Sequence, residues 1–403
     1  MPQTNVDNRV CEIIESRADA LLDDLRLHVG IPTGRNSVVG LDETRDRITS
    51  RLRALGAACE LVPGEPKPDW LKGGEASGPI PPTAICRRTT GRTRPKILIA
   101  GHLDTVHDPA DEFNSLSIAP DGLTATGPGC VDMKGGLVIA MHALEALEEA
   151  GVDAAWTVFL NSDEETGTFH STRALTDEAG RHDVGLALEP ALAGGALAIE
   201  RMGSGQFMVE CRGRSAHVGR EFAKGVSAVT KLGECLVRIG SMADAERGLI
   251  LNVGPLEGGG ATNAVPDRAR AWGNVRFATS EHAEQIAAML DSLETDAMPS
   301  VRVDRVFNRP AKPLIEPTRR LADLARQAAE DLGQSLPFQS TGGVCDGNIM
   351  QAAGLATIDT VGVRGGGLHT RDEWIELASL VERCRLLAVL ISRIAGGAWS
   401  ATH

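Results

Sequence analysis

The sequence predicts an α/β chain, a parallel sheet covered by helices into which a smaller α+β unit is inserted. Three features predict it. Short apolar runs at 96–100 (KILIA), 156–160 (WTVFL) and 184–188 (VGLAL) have the length and continuity of strands buried on both faces. Between the first two, 135–150 carries Leu137, Met141, Leu144 and Leu147 at helical spacing and stops at Gly151, so strand, helix and strand alternate as in βαβ units. From 205 to 307 the order becomes strand, helix, two strands, helix, strand, the split pattern of a ferredoxin-like unit.

Taken in order, 8–30 and 42–56 read as helices, the second opening on acidic residues, carrying basic ones later and stopping at Gly56. The Pro- and Gly-dense stretch 63–82 is a surface loop, and 83–88 and 96–100 read as neighbouring strands around the polar turn TTGRTRP. In the inserted unit, 205–212 alternates, 225–239 is helical, 248–256 and 267–278 are extended, 281–294 is helical and 300–307 alternates again. Arg309-Pro310 then leads back to a helix with Thr318 as N-cap, Leu321, Leu324, Ala328 and Leu332 on one face and Gly333 as its stop. The expected division is 1–198 and 311–403 for the first unit and 199–310 for the second.

Length and composition suit two cores: 403 residues, 42% of them hydrophobic. The net charge of −13 argues against nucleic acid or an anionic membrane as partner. Residues 199–310 hold 14 Lys/Arg and 14 Asp/Glu, so the whole surplus falls on the remainder. No run approaches a membrane span, and the N-terminus lacks a basic segment followed by an apolar one, so cytoplasmic residence is expected. The eight cysteines show no CxxC pair and read as isolated thiols.

The strand ends carry the chemistry. His102 and Asp104 come just past 96–100, Asp132 lies in a Gly-flanked loop before the 135–150 helix, Glu164 and Glu165 follow 156–160, and Glu189 follows 184–188. Singly these are bland, since an Asp after a strand caps helices and a Glu pair is ordinarily a solvated turn. Together, on the edge where open α/β sheets keep their ligands, and joined by His369 in GGGLHT, they form a His/carboxylate set suited to a borderline divalent ion. Among ten histidines, 102, 217 and 369 lie in small-residue loops with polar neighbours; His107, His142, His170, His182 and His282 read as structural or surface.

The ordered motifs HLDTV (102–106), GPGCVDMKGG (127–136), NSDEETG (161–167), LEPA (188–191), GRSAHVG (213–219), ATNAVPD (261–267), FNRP (307–310) and GGGLHT (365–370) make the chain resemble the M20 metallopeptidases. Within them it is similar to the glutamate carboxypeptidase (carboxypeptidase G2-like) group. The resemblance implies a zinc-exopeptidase-like three-layer α/β/α catalytic domain with an inserted ferredoxin-like lid that dimerises. It implies two zinc ions per subunit, with cobalt or manganese as substitutes: His102 and Glu189 on one, Glu165 and His369 on the other, Asp132 between them. Asp104 would orient His102 by accepting its hydrogen bond, and Glu164 would be the general base; neighbouring residues at a strand end point in different directions, so Glu164 and Glu165 can serve different partners. His217 would reach the partner subunit's site to stabilise the oxyanion, and Asn263 and Arg276 would bind substrate. The implied activity is release of a C-terminal glutamate or similar amino acid from an N-acyl or peptidyl substrate; the rival is an N-acyl amino-acid deacylase of the acetylornithine or succinyl-diaminopimelate type. Two departures from the group stand out: Val344-Cys345 interrupts a GGGSD-like stretch, and Asn274 precedes Val275-Arg276 where aspartate is common.

Overall fold

The computed structural model describes residues 3–34, 37–72, 81–91 and 95–399. Its central sheet has six strands in the spatial order Ala58–Val62, Thr83–Arg88, Ala155–Asn161, Lys96–His102, Val184–Ala187 and Thr357–Ile358. The last four are mutually parallel. Alternate residues of Lys96–His102 serve different layers. Ile97 and Ile99 join a large core with Leu137, Met141, Leu387 and Ile391 from the helices Gly135–Glu149 and Ala378–Ala395. Leu98 and Ala100 face a second core with Leu175, Ala179, Ile349 and Met350. Helices therefore cover both faces, the expected three-layer α/β/α arrangement, and burial on two sides is why these strands read as unbroken apolar runs.

Local expectations fail in two places here. Thr83–Arg88 and Lys96–His102 are not neighbours; Ala155–Asn161, buried at every residue, lies between them, antiparallel to the first and parallel to the second. Thr318 is not an N-cap either. The helix Glu316–Asp331 begins two residues earlier with Pro317 in its first turn, and the buried Thr318 hydroxyl donates instead to Gln351 Oε1 at 2.7 Å.

The second sheet has four antiparallel strands in the order Leu249–Gly258, Arg268–Phe277, Gly203–Arg212 and Ser300–Arg309. With the helices Ala228–Met242 and Ser280–Asp291 it follows the predicted ferredoxin-like order. Phe207, Val209, Leu232, Ile239, Val275, Ile286 and Leu290 give it a core of its own. Its helices start on side-chain caps: Ser227 accepts from Thr230 N–H and Thr279 from His282 N–H.

The described part of the 63–82 loop is more than surface; its 73–80 portion lies outside the described residues. Trp272 Nε1 donates to the Trp70 carbonyl at 2.6 Å, Lys72 pairs with Glu257, and the Lys72 ammonium lies 4.5 Å from the Trp272 ring centre. The loop thus straps the first sheet's edge to the second sheet. At its root a further expectation is corrected, because Cys59 and Cys86 form a disulfide. They are directly opposed in the antiparallel pair Ala58–Val62 and Thr83–Arg88, a register that sequence spacing does not reveal. The other six cysteines are buried free thiols. Among the described residues, no helix is long and apolar enough to cross a membrane.

Candidate metal centre

His102 is the last residue of its strand rather than a loop residue beyond it, paired in register with Asn161. Its Nδ1 lies 2.9 Å from the Asp104 carbonyl oxygen and 3.5 Å from that residue's carboxylate. With Nδ1 turned to the carbonyl, Nε2 points toward Asp132 Oδ1 at 3.2 Å and Glu189 Oε1 at 4.0 Å, the nitrogen that would be free to hold a metal. The Asp104 carboxylate has nearer partners than His102. Its two oxygens accept the main-chain N–H groups of Glu164 (3.2 Å) and Glu165 (3.0 Å). Asp104 thus orients His102 chiefly through its main chain, while its side chain anchors the turn carrying both glutamates.

Asp132 sits in the irregular turn Cys130–Lys134 that leads into Gly135–Glu149. Its Oδ1 faces His102, and its Oδ2 lies 3.6 Å from His369 Nε2, which is itself 3.2 Å from Glu165 Oε2. His369 is held at φ 64°, in the left-handed region unusual for a residue with a side chain. The turn before it needs Gly367, at φ 70°, where a Cβ would meet the Asp372 carbonyl at 2.3 Å. One ligand atom each from His102, Asp132 and Glu165 fits within 4.8 Å.

Glu164 faces elsewhere. Arg309, at the end of the strand Ser300–Arg309 and 2% exposed, donates to Glu164 Oε1 at 2.6 Å and to Asp346 Oδ1 at 2.7 Å. Asn161 and Thr168 complete the Asp346 carboxylate at 2.8 Å each. A residue of the second sheet therefore holds the proposed base of the first. Cys345 caps the helix Asp346–Ala352, its sulfur accepting from Gly347 N–H, and burial pushes its thiol well above the ordinary range.

Charge in the cluster is poorly balanced by its own groups. Burial, with Asp132 next, pushes the Glu189 carboxyl up to about 8, and burial also raises Glu165 and Glu164. The Asp132 and Glu165 carboxylates lift His369 to about 10. Burial opposes a charged His102, but the Asp104 and Asp132 carboxylates outweigh it and raise the imidazole. Three converging carboxylates and two imidazoles with nitrogens aimed inward are a donor set that a divalent cation would neutralise, so these residues fit the metal that the sequence implies.

The structure thus brings together His102, Asp104, Asp132, Glu164, Glu165, Glu189 and His369. It leaves His217 and Asn263 on exposed loops of the second unit, bonded to each other's surroundings: Val218 N–H donates to the Asn263 carbonyl, and His217 Nδ1 accepts from Gly219 N–H. Arg276, half-buried on Arg268–Phe277, has an Nη1 with no hydrogen-bond partner among the described residues; burial and the neighbouring Arg309 guanidinium lower its pKa. Three residues escaped the sequence reading of the site. Arg309 lay inside FNRP without a role, His107 read as structural or surface, and Glu373, four residues after His369, went unnoticed although it binds the Asp132 turn.

Residues 98–393 match peptidase family M20/M25/M40, and the chain belongs to that family: it is an enzyme of the metallopeptidase and amidohydrolase type. It is 26% identical to carboxypeptidase G2 of Pseudomonas sp. (strain RS-16) over 402 residues, covering 97% of this chain and 93% of that one. It is also 26% identical to succinyl-diaminopimelate desuccinylase of Sphingopyxis alaskensis over 343 residues, covering 81% and 88%. Its fold is similar to that of a tripeptidase from Staphylococcus aureus, with TM-score 0.75 and 21% identity over 94% of this chain and 99% of the other.

Proposed function

We propose that this enzyme is a dinuclear-metal amide hydrolase that releases a C-terminal glutamate or a similar amino acid from an N-acyl or peptidyl partner. The observation that carries it is the position of Asp132, whose two carboxylate oxygens face two different histidines, His102 and His369. His102 and Glu189 would hold one zinc, Glu165 and His369 a second, and Asp132 both, with cobalt or manganese as substitutes. Such ions supply Lewis acidity, lowering the pKa of water and polarising the amide carbonyl. Glu164 takes the proton of the attacking water and returns it to the leaving nitrogen. Arg309 fixes the Glu164 side chain by holding Oε1.

In this reading the chain works as a catalytic unit (1–198 with 311–403) and a lid (199–310) in a homodimer, acts in the cytoplasm, and uses neither nucleic acid nor membrane as partner. His217 serves the partner subunit's site by stabilising the oxyanion, and Asn263 binds substrate. Dimerisation is supported by apolar side chains left outward on the lid: Val229 and Val237 on Ala228–Met242, Ile250 and Leu256 on the edge strand Leu249–Gly258. Carboxylate recognition is supported by Arg276, whose Nη1 has no hydrogen-bond partner among the described residues and which, near Arg309, is a local cation on a chain whose surplus charge is negative. A second reading, an N-acyl amino-acid deacylase, is favoured by the desuccinylase among the relatives.

Hydrolysis of N-acyl amino acids with free and with amidated α-carboxyls tests the substrate class. Free N-acyl glutamates should react and amidated ones poorly, and Arg276→Ala should raise KM more than it lowers kcat, because the contact already exists in the ground state. Arg276→Lys should rescue poorly, since a point charge cannot reproduce the fork. Equal rates on amidated substrates, or an unchanged KM in Arg276→Ala, would move the deacylase reading ahead.

A further inference from the structure

We propose that Glu373 is a positioning residue of the metal centre, whose buried carboxylate locks together the three chain segments that present His102, Asp132 and His369 and thereby sets the affinity of the site for divalent metal. The inference rests on the metal reading above and adds to it a residue that holds no metal itself.

The Glu373 carboxylate is 1% exposed and accepts four hydrogen bonds. Oε1 takes the N–H groups of Val131 and Asp132, each at 3.0 Å; Oε2 takes Gly129 N–H at 2.9 Å and His107 Nε2 at 2.6 Å. Three partners are main-chain donors and His107 Nε2 can donate as the fourth, a set that fills the four acceptor sites of a carboxylate and does not suit an amide, whose NH2 would face donors. Three of the donors belong to the turn that presents Asp132. The fourth lies on His107, five residues beyond His102 on the segment that also carries Asp104, and its ring is steadied edge-on against Phe113 at 5.2 Å. Glu373 itself follows His369 by four residues, and its main-chain carbonyl accepts Gly127 N–H at 3.2 Å. One anion therefore joins all three segments.

This placement matters because Asp132 has to serve two histidines at once, one with each oxygen, so a small rotation of its main chain takes both oxygens off target. Groups that orient a ligand in this way typically change metal affinity by about 10–100-fold when removed. A residue that merely stabilised the turn would lower the melting temperature and leave affinity in the folded protein alone.

The test is a zinc titration of the metal-free enzyme and of Glu373→Gln against a chromophoric chelator of known affinity, with circular dichroism on the same samples. The expected result is a folded variant whose zinc dissociation constant is about 10–100-fold higher and whose turnover recovers as excess zinc is added. A folded Glu373→Gln that binds zinc as tightly as the parent overturns the proposal while leaving the metal reading intact. A parent that takes up no zinc overturns both. Should Glu373→Gln fail to fold, His107→Phe decides, since it removes one donor and keeps a ring: weakened zinc binding supports the proposal, and unchanged binding overturns it.

Discussion

Glu164 and Glu165 share a turn anchored by Asp104, yet one turns to Arg309 and the other to His369. That geometry suits the proposed division between a proton carrier and a metal ligand. Glu164→Gln keeps the shape but cannot take a proton, so kcat should fall by about 10²–10⁴ with metal content unchanged. Glu165→Gln should lose metal as well as turnover. Kinetics with elemental analysis of both variants checks this, and equal metal loss would mean the two roles are wrongly divided. The seven residues of the cluster were legible in the sequence because, bland singly, they recur together in short motifs at strand ends and Gly-rich loops along one sheet edge. Glu373 and Arg309 were not, because their work is to hold main-chain N–H groups and another carboxylate, and such partners are known only once the loops are folded. Which Asp104 oxygen meets His102 Nδ1 was not legible for the same reason: the nearer acceptor is its main-chain oxygen, not its carboxylate.

Strands and helices with strong periodicity came through the sequence with small shifts of their ends, as in Gly135–Glu149 and Ala155–Asn161. Their neighbours did not, since sheet order is a long-range pairing that local periodicity does not encode, and Ala155–Asn161 lies between Thr83–Arg88 and Lys96–His102. The same hidden register set Cys59 opposite Cys86. Alkylation of the denatured, unreduced chain should therefore label six thiols, the free ones, and not all eight. Eight labels would show the pair reduced, as expected of a cytoplasmic protein. Closing a loop with ends 27 residues apart stabilises the fold by about 3–4 kcal/mol on the chain-entropy account, and reduction should lower Tm.

At the scale of the molecule, two sheets with separate cores meet at the candidate metal centre: Arg309 reaches Glu164 from the second sheet, and the strap at Trp70 and Lys72 ties the first to Trp272 and Glu257. The ferredoxin-like order was readable from alternation and helical spacing, whereas the strap was not, because a loop dense in Pro and Gly has no period to read. The dimer reading makes a direct forecast. Mixed Glu164→Gln and His217→Ala protomers, each inactive alone, should regain partial activity once subunits exchange, since one site of each hybrid would be whole. No recovery after proven exchange would remove His217 from the partner's site. The central claim, that His102, Asp132, Glu165, Glu189 and His369 close a dinuclear site, is tested most directly by counting divalent metal in the active enzyme. The account predicts two ions per chain, loss of turnover on chelation and its return with zinc; an enzyme that hydrolyses N-acyl amino acids at full rate with no divalent metal bound would contradict it.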